Sequence, residues 1–156
     1  MVGAGVARTP NRLIRVSMRD AADHQAIAIC GVPGGSVTNP PLVDLRRRIV
    51  VAYDSANRHL AAWQFARGTG MLHPLWHRRG FGCASHMLLY PDSGELLVND
   101  YRRFSEEVVL LDIATGTEKA RVRSGGLTQG VVFPSPGWNR DLYWSSMGRL
   151  ARIFVQ

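Results

Sequence analysis

At 156 residues and 17.3 kDa the chain has room for one domain with a core of its own, not for two large ones. Hydrophobic residues at 46% and charged residues at 20%, with 16 glycines and 8 prolines, exclude whole-chain disorder and a collagen-like repeat. The net charge of +7 lies in the first half, where eleven arginines in residues 1–80 face only Asp20, Asp23, Asp44 and Asp54, whereas residues 81–156 balance. A basic half attracts polyanions, but no basic helical stripe or aromatic-interleaved basic motif is present. Scattered solvated arginines are the simpler expectation, with nucleic-acid binding kept as a second alternative. No run approaches the roughly 18 apolar residues of a membrane-spanning helix. Met1 to Asn11 lacks the layout of a secretory signal, so a cytoplasmic chain without membrane contact is expected as written. Two cysteines, Cys30 and Cys83, make no disulfide framework, and each is expected to be a small buried apolar residue.

Along the chain, short runs rich in Val, Ile, Leu, Tyr and Trp alternate with Gly, Pro, Asn, Asp and Ser clusters, and no long capped helical period occurs. The fold class is all-β. The first strands fall around Leu13 and before Gly31, separated by the turn Asp20-Ala21-Ala22-Asp23. Next come Pro41-Leu42-Val43-Asp44, Arg48-Ile49-Val50-Val51-Ala52, His59-Leu60-Ala61-Ala62-Trp63 and a strand ending near Trp76, with Arg46-Arg47-Arg48 as a turn. The same order returns 45 to 48 residues later. His86-Met87-Leu88-Leu89, Glu95-Leu96-Leu97-Val98-Asn99 and Glu107-Val108-Val109-Leu110-Leu111 lie over the first three, and Lys119 to Val122 over the fourth. In this register Ala66-Arg67-Gly68 falls on the turn Ala114-Thr115-Gly116. A further step brings Val131-Val132-Phe133-Pro134 and Leu142-Tyr143 into line.

Four short strands on a period of about 45 residues are the pattern of β-propeller blades, each a twisted four-stranded antiparallel sheet. The predicted organisation is a half blade over 13–30, blades over 39–78 and 85–124, and an incomplete blade over 128–156. Such a chain does not close a ring alone. Open sheet edges then call for a protein partner or self-association to cover them.

The segment Leu110-Leu111-Asp112-Ile113-Ala114-Thr115-Gly116 resembles the Asp-x-x-Thr-Gly core of PQQ-type, quinoprotein-like propeller repeats. The Pro-led opening Asn39-Pro40-Pro41-Leu42-Val43-Asp44 resembles the same repeat. The departures are Gln64 at the aspartate position of the earlier blade, Trp76 later than the repeat places its tryptophan, and no tryptophan near Ala120. Tyr90-Pro91-Asp92-Ser93-Gly94 resembles the generic Pro-Asp-x-Gly turn of WD40- and YVTN-like blades, and Asp141-Leu142-Tyr143-Trp144 is similar to six-bladed lactonase and YWTD families. The resemblance implies a propeller whose relatives are often exported, and it admits an enzyme alternative of quinoprotein or lactonase type.

In that architecture the fourth-to-first and second-to-third strand connections emerge on one face. Arg78, Arg79, His86, Asn99, Asp100, Arg102, Arg103 and Gln129 are expected there as a ligand-binding mouth. His86 offers a group that titrates near neutral pH. Arg78-Arg79 with Arg102-Arg103 forms a candidate clamp for a small anionic ligand. Asn99 and Asp100 offer oxygen ligands to Ca, so a PQQ or Ca cofactor enters only under the enzyme alternative. His73, His77, Cys83 and His86 fit no zinc spacing, and no cofactor or metal is predicted. No nucleophile elbow, phosphate loop, Cys-x-x-Cys or His-Glu-x-x-His occurs. The leading expectation is a non-catalytic propeller-repeat binding module.

Overall fold

The computed structural model describes residues 9–34, 40–82, 86–102, 105–125, 134–146 and 149–155. β1 (Pro10–Val16) and β2 (His24–Pro33) form a two-stranded antiparallel sheet. The second sheet runs in sequence order through β3 (Leu42–Asp44), β4 (Ile49–Asp54), β5 (His59–Phe65) and β6 (Leu72–Arg79). The third does the same with β7 (Leu88–Tyr90), β8 (Glu95–Arg102), β9 (Ser105–Asp112) and β10 (Glu118–Arg123). β11 (Ser135–Pro136), β12 (Leu142–Ser146) and β13 (Arg149–Ile153) form a three-stranded fourth sheet. All pairings are antiparallel, and the described residues contain only one short 3-10 turn, Trp138–Arg140. Among the described residues no helix is long and apolar enough to cross a membrane.

The sheets stack face to face, which explains why the middle strands are apolar on both sides. Successive strand residues point to opposite faces. Val50 and Ala52 of β4 pack with Leu13 and Ile29 of the first sheet, while Ile49, Val51 and Tyr53 pack with Leu96, Val98 and Val109 of the third. Leu97, Val108 and Leu110 then meet Leu142 and Trp144 of the fourth. Burying one such side chain contributes about 1.5–3 kcal/mol, so three apolar seams carry the fold. Val131 to Phe133, expected as the first strand of the last sheet, lie outside the described residues; the described strand there is Ser135–Pro136.

The repeat extends to an irregularity. Trp63 pairs with Pro74 and Ala62 with Trp76, leaving Leu75 as a bulge; Leu111 pairs with Glu118 and Leu110 with Ala120, leaving Lys119 as a bulge. The β5–β6 hairpin then runs two pairs further, Gln64↔His73 and Phe65↔Leu72, before it turns. The expected match of Ala66-Arg67-Gly68 to Ala114-Thr115-Gly116 is therefore off by two. Asp112 N–H donates to Thr117 O and Gly116 N–H to Asp112 O; Ala66 N–H donates to Met71 O and Gly70 N–H to Ala66 O. The threonine hydroxyl receives the same bond in both turns, from Thr117 N–H to Thr115 and from Met71 N–H to Thr69. So Ala66, not Gln64, stands at the aspartate position, and Thr69-Gly70 preserves the Thr-Gly core. The bulge likewise aligns Trp76 with Ala120.

Candidate functional site

The connection between β4 and β5 and the linker leaving β6 meet at one end of the sheets. Phe81 N–H donates to Arg58 O, and the Arg58 guanidinium donates to Gly80 O at 2.8 Å. The linker is fastened to the next sheet by Gly82 N–H donating to Asp100 Oδ1 at 2.9 Å and Tyr101 N–H to Gly82 O at 2.7 Å. One sheet earlier, Asp54 holds the last part of β2 instead, accepting from the Cys30 thiol at 3.2 Å and from the Asn57 amide at 3.0 Å. Asn57 also donates to Val32 O at 3.1 Å. Asp54 and Asp100 hold equivalent positions of β4 and β8, and both are fully buried. Their phase is legible, since each lies two residues beyond an inward apolar residue, Ala52 or Val98.

Asn99 and Asp100, expected as ligand-facing, are 1% and 0% exposed. Asp100 Oδ2 accepts from Arg121 at 2.9 Å, and Asn99 Nδ2 donates to Glu106 Oε1 at 3.3 Å. Asp100 fastens the linker between the second and third sheets, and Asn99 bonds within the third sheet to Glu106, which receives Trp144 of the fourth. Arg78 also lies in a joint: it donates to Gly116 O at 2.6 Å and its guanidinium sits 5.4 Å from the Phe81 ring centroid. Arg79 is exposed and pairs across the sheet with His59. His86 is half-buried just ahead of β7. Arg102 ends β8, while Arg103 and Gln129 lie outside the described residues, as does Cys83. Cys30 is half-buried rather than a fully packed apolar residue. Burial, followed by the neighbouring Asp54, raises its thiol pKa above the ordinary value, although the Val32 carbonyl pulls the other way.

Three ionic centres were not singled out by the sequence reading. Arg121 meets Asp100 at 2.9 Å, Glu107 at 2.5 Å and Glu118 at 2.8 Å; its bonds to Glu118, Asp100 and Glu107 outweigh desolvation and hold it firmly protonated. Glu95 receives Lys119 at 2.8 Å and also Arg140. Burial opposes ionisation of Glu95, but Lys119, Ser93 and Arg140 outweigh it and hold the carboxyl below its ordinary range. Glu106 is buried with Trp144 Nε1–H donating to it at 3.0 Å and the Ser124 hydroxyl at 3.3 Å. Glu106 is in phase with Val108 and Leu110, which marks it in the sequence as inward-facing.

Between β2 and β5–β6 lies an open groove of about 300 Å³. Ile27, Ile29 and Trp63 line it with His59, His77 and Arg79. Among the described residues no group of three or more His, Cys, Asp or Glu is arranged to hold a metal ion.

No protein-family model matches this chain, and comparison with curated proteins finds no match. Among solved structures the chain is similar to a luciferin-regenerating enzyme, with a TM-score of 0.58 and 13% identity over 93% of this chain and 47% of that one. It is also similar to the β-propeller domain of the Trilobed protease from Pyrococcus furiosus, with a TM-score of 0.42 and 11% identity over 98% of this chain and 58% of that one. At 13% identity the likeness to the first is one of fold. The chain spans about half the length of these structures. Its fold is that of stacked β-propeller blades, and the described residues do not close a ring.

Proposed function

We propose that this chain is a non-catalytic propeller-repeat binding module of PQQ-type repeats, and that a second copy or another protein covers its open sheet edges. The observation that carries the first part is the engagement of Asn99 and Asp100. These are the oxygen donors that a channel-mouth enzyme or a Ca site would need, and both are buried in bonds to Glu106, Gly82 and Arg121. The repeat type is supported by the shared Thr-Gly turn, Thr69-Gly70 and Thr115-Gly116.

The partner is supported by the terminal sheets. Among the described residues β1 pairs only with β2 and β13 only with β12, leaving an unpaired edge on each. Ile14 is 59% exposed beside the first edge and Leu150 71% beside the second. Unpaired strands bordered by apolar residues template pairing with another chain. Light scattering after size exclusion, with far-UV circular dichroism on the same peak, tests this. The expected result is a discrete β-rich species heavier than the 17.3 kDa chain; a β-rich monomer at high concentration would refute the association.

A further inference from the structure

The joint between the first and second sheets and the joint between the second and third follow one plan but are filled differently. With the bulges superposed, Asp54 corresponds to Asp100, His59 to Glu107, Pro74 to Glu118, His77 to Arg121 and Arg79 to Arg123. Phe81 stands next to Gly82 at the later joint, and Ile29 next to Cys30 at the earlier one.

At the later joint the chain closes this space with its own side chains. The Phe81 ring is buried beneath two guanidinium groups, Arg78 at 5.4 Å and Arg121 at 5.8 Å from its centroid. Asp100, Glu107 and Glu118 meet the charge of Arg121. At the earlier joint Ile29 stands near the aspartate, two of the three acids become His59 and Pro74, Arg121 becomes His77, and about 300 Å³ stands open. The remaining acid, Asp54, is fully buried and already engaged by Cys30 and Asn57.

The earlier joint thus sets an apolar floor that includes the Trp63 indole beside Arg79, its remaining guanidinium. We propose that this groove binds a small aromatic carboxylate, its ring against Ile27, Ile29 and Trp63 and its carboxylate on Arg79 with His59 and His77. A cavity of this size with an apolar floor and a few convergent polar groups suits a small molecule. Arg offers planar, charge-assisted bonds to a carboxylate. The His59 ring is oriented by its Nδ1 at 3.0 Å from Asn57 O, so its Nε2 donates to the carboxylate as the imidazolium.

The reading deepens the binding-module proposal, and its test is separate from the mass measurement. Benzoate is titrated into the full chain by ligand-detected NMR, with benzylamine as the cationic control. One saturable site per chain is expected, with Kd near or below about 1 mM, and no saturable binding of benzylamine. Arg79→Gln should weaken benzoate roughly tenfold. Ile27→Trp, at a half-buried residue of the groove floor, should abolish binding while the circular dichroism is retained. Absence of saturation, equal binding of benzylamine, or wild-type affinity in both variants would overturn the proposal. A β-rich monomer that binds benzoate refutes the association and upholds the groove; a dimer that does not bind it does the reverse.

Discussion

Gly116 is the position at which stacking of one sheet on the next is most sharply tested. Its φ is +70°, and a Cβ there would lie 2.7 Å from Trp76 Cδ2 and 2.8 Å from Cε3. The Trp76 indole cannot yield easily, because its Nε1–H donates to Ile113 O at 2.8 Å. Gly70 occupies the same place in the preceding turn, with φ +68° and only ordinary contacts to Arg15, the nearest at 3.6 Å. An L-residue in the left-handed region costs about 1 kcal/mol, and forcing a methyl into a packed site adds about 1–3 kcal/mol. Gly70→Ala should therefore cost about 1 kcal/mol and Gly116→Ala about 2–4 kcal/mol, read from urea unfolding followed by far-UV circular dichroism. In a Trp76→Ala background the cost of Gly116→Ala should fall to about 1 kcal/mol, a coupling that a double-mutant cycle isolates. Equal costs for the two glycines, or no coupling to Trp76, would refute this packing of the third sheet's turn on the second sheet.

Asp100→Asn leaves Arg121 with Glu107 and Glu118 alone and weakens the hold on Gly82, so a loss of about 1–3 kcal/mol is expected in the same assay. The Glu95 carboxyl is held below its unfolded value, so its contribution to stability is complete above about pH 4.3 and is lost as the pH falls through the lower folded-state value. Glu95→Gln should remove that part of the acid limb in a stability-against-pH series, and an unchanged limb would contradict it. In a Cys83→Ser background the Cys30 thiol should react slowly with a disulfide reagent at mild alkaline pH, and Asp54→Asn should accelerate it by removing an acceptor and a negative charge. Arg47→Ala should cost about 1–2 kcal/mol, because its guanidinium ties Asp44 at 2.9 Å to Pro91 O at 2.7 Å and Asp92 O at 3.1 Å in the next sheet.

Strand order was legible because period-two apolar runs and Gly/Asp turns are local signals. The 2-4-4-3 grouping of strands follows from their recurrence. The β5–β6 turn was misaligned because its aspartate is Ala66 and the hairpin is longer, so the motif's most visible residue is missing where the geometry needs it. Asn99 and Asp100 looked like mouth residues because they end a strand. Asp100 is buried where the linker at Gly82 folds back over it, a contact between segments 18 residues apart, and Asn99 on the opposite face, beside Glu106 and the fourth sheet's Trp144. The Arg47 clamp and the seating of Trp76 on Gly116 join residues some 40 positions apart and depend on how the sheets stack, which no local pattern encodes. The groove was out of reach for the same reason: it emerges only when two joints are superposed and their fillings compared.

Hydrogen exchange read by mass spectrometry across a dilution series tests the central claim most directly. The account predicts that amides of β4, β5, β8 and β9 stay protected at every concentration, while the outward amides of β1 and β13, those not bonded to β2 and β12, are protected only where a partner copy covers their edges. Free exchange of β1 and β13 at all concentrations would contradict the covered edges, and rapid exchange of the central strands would contradict the stacked sheets themselves.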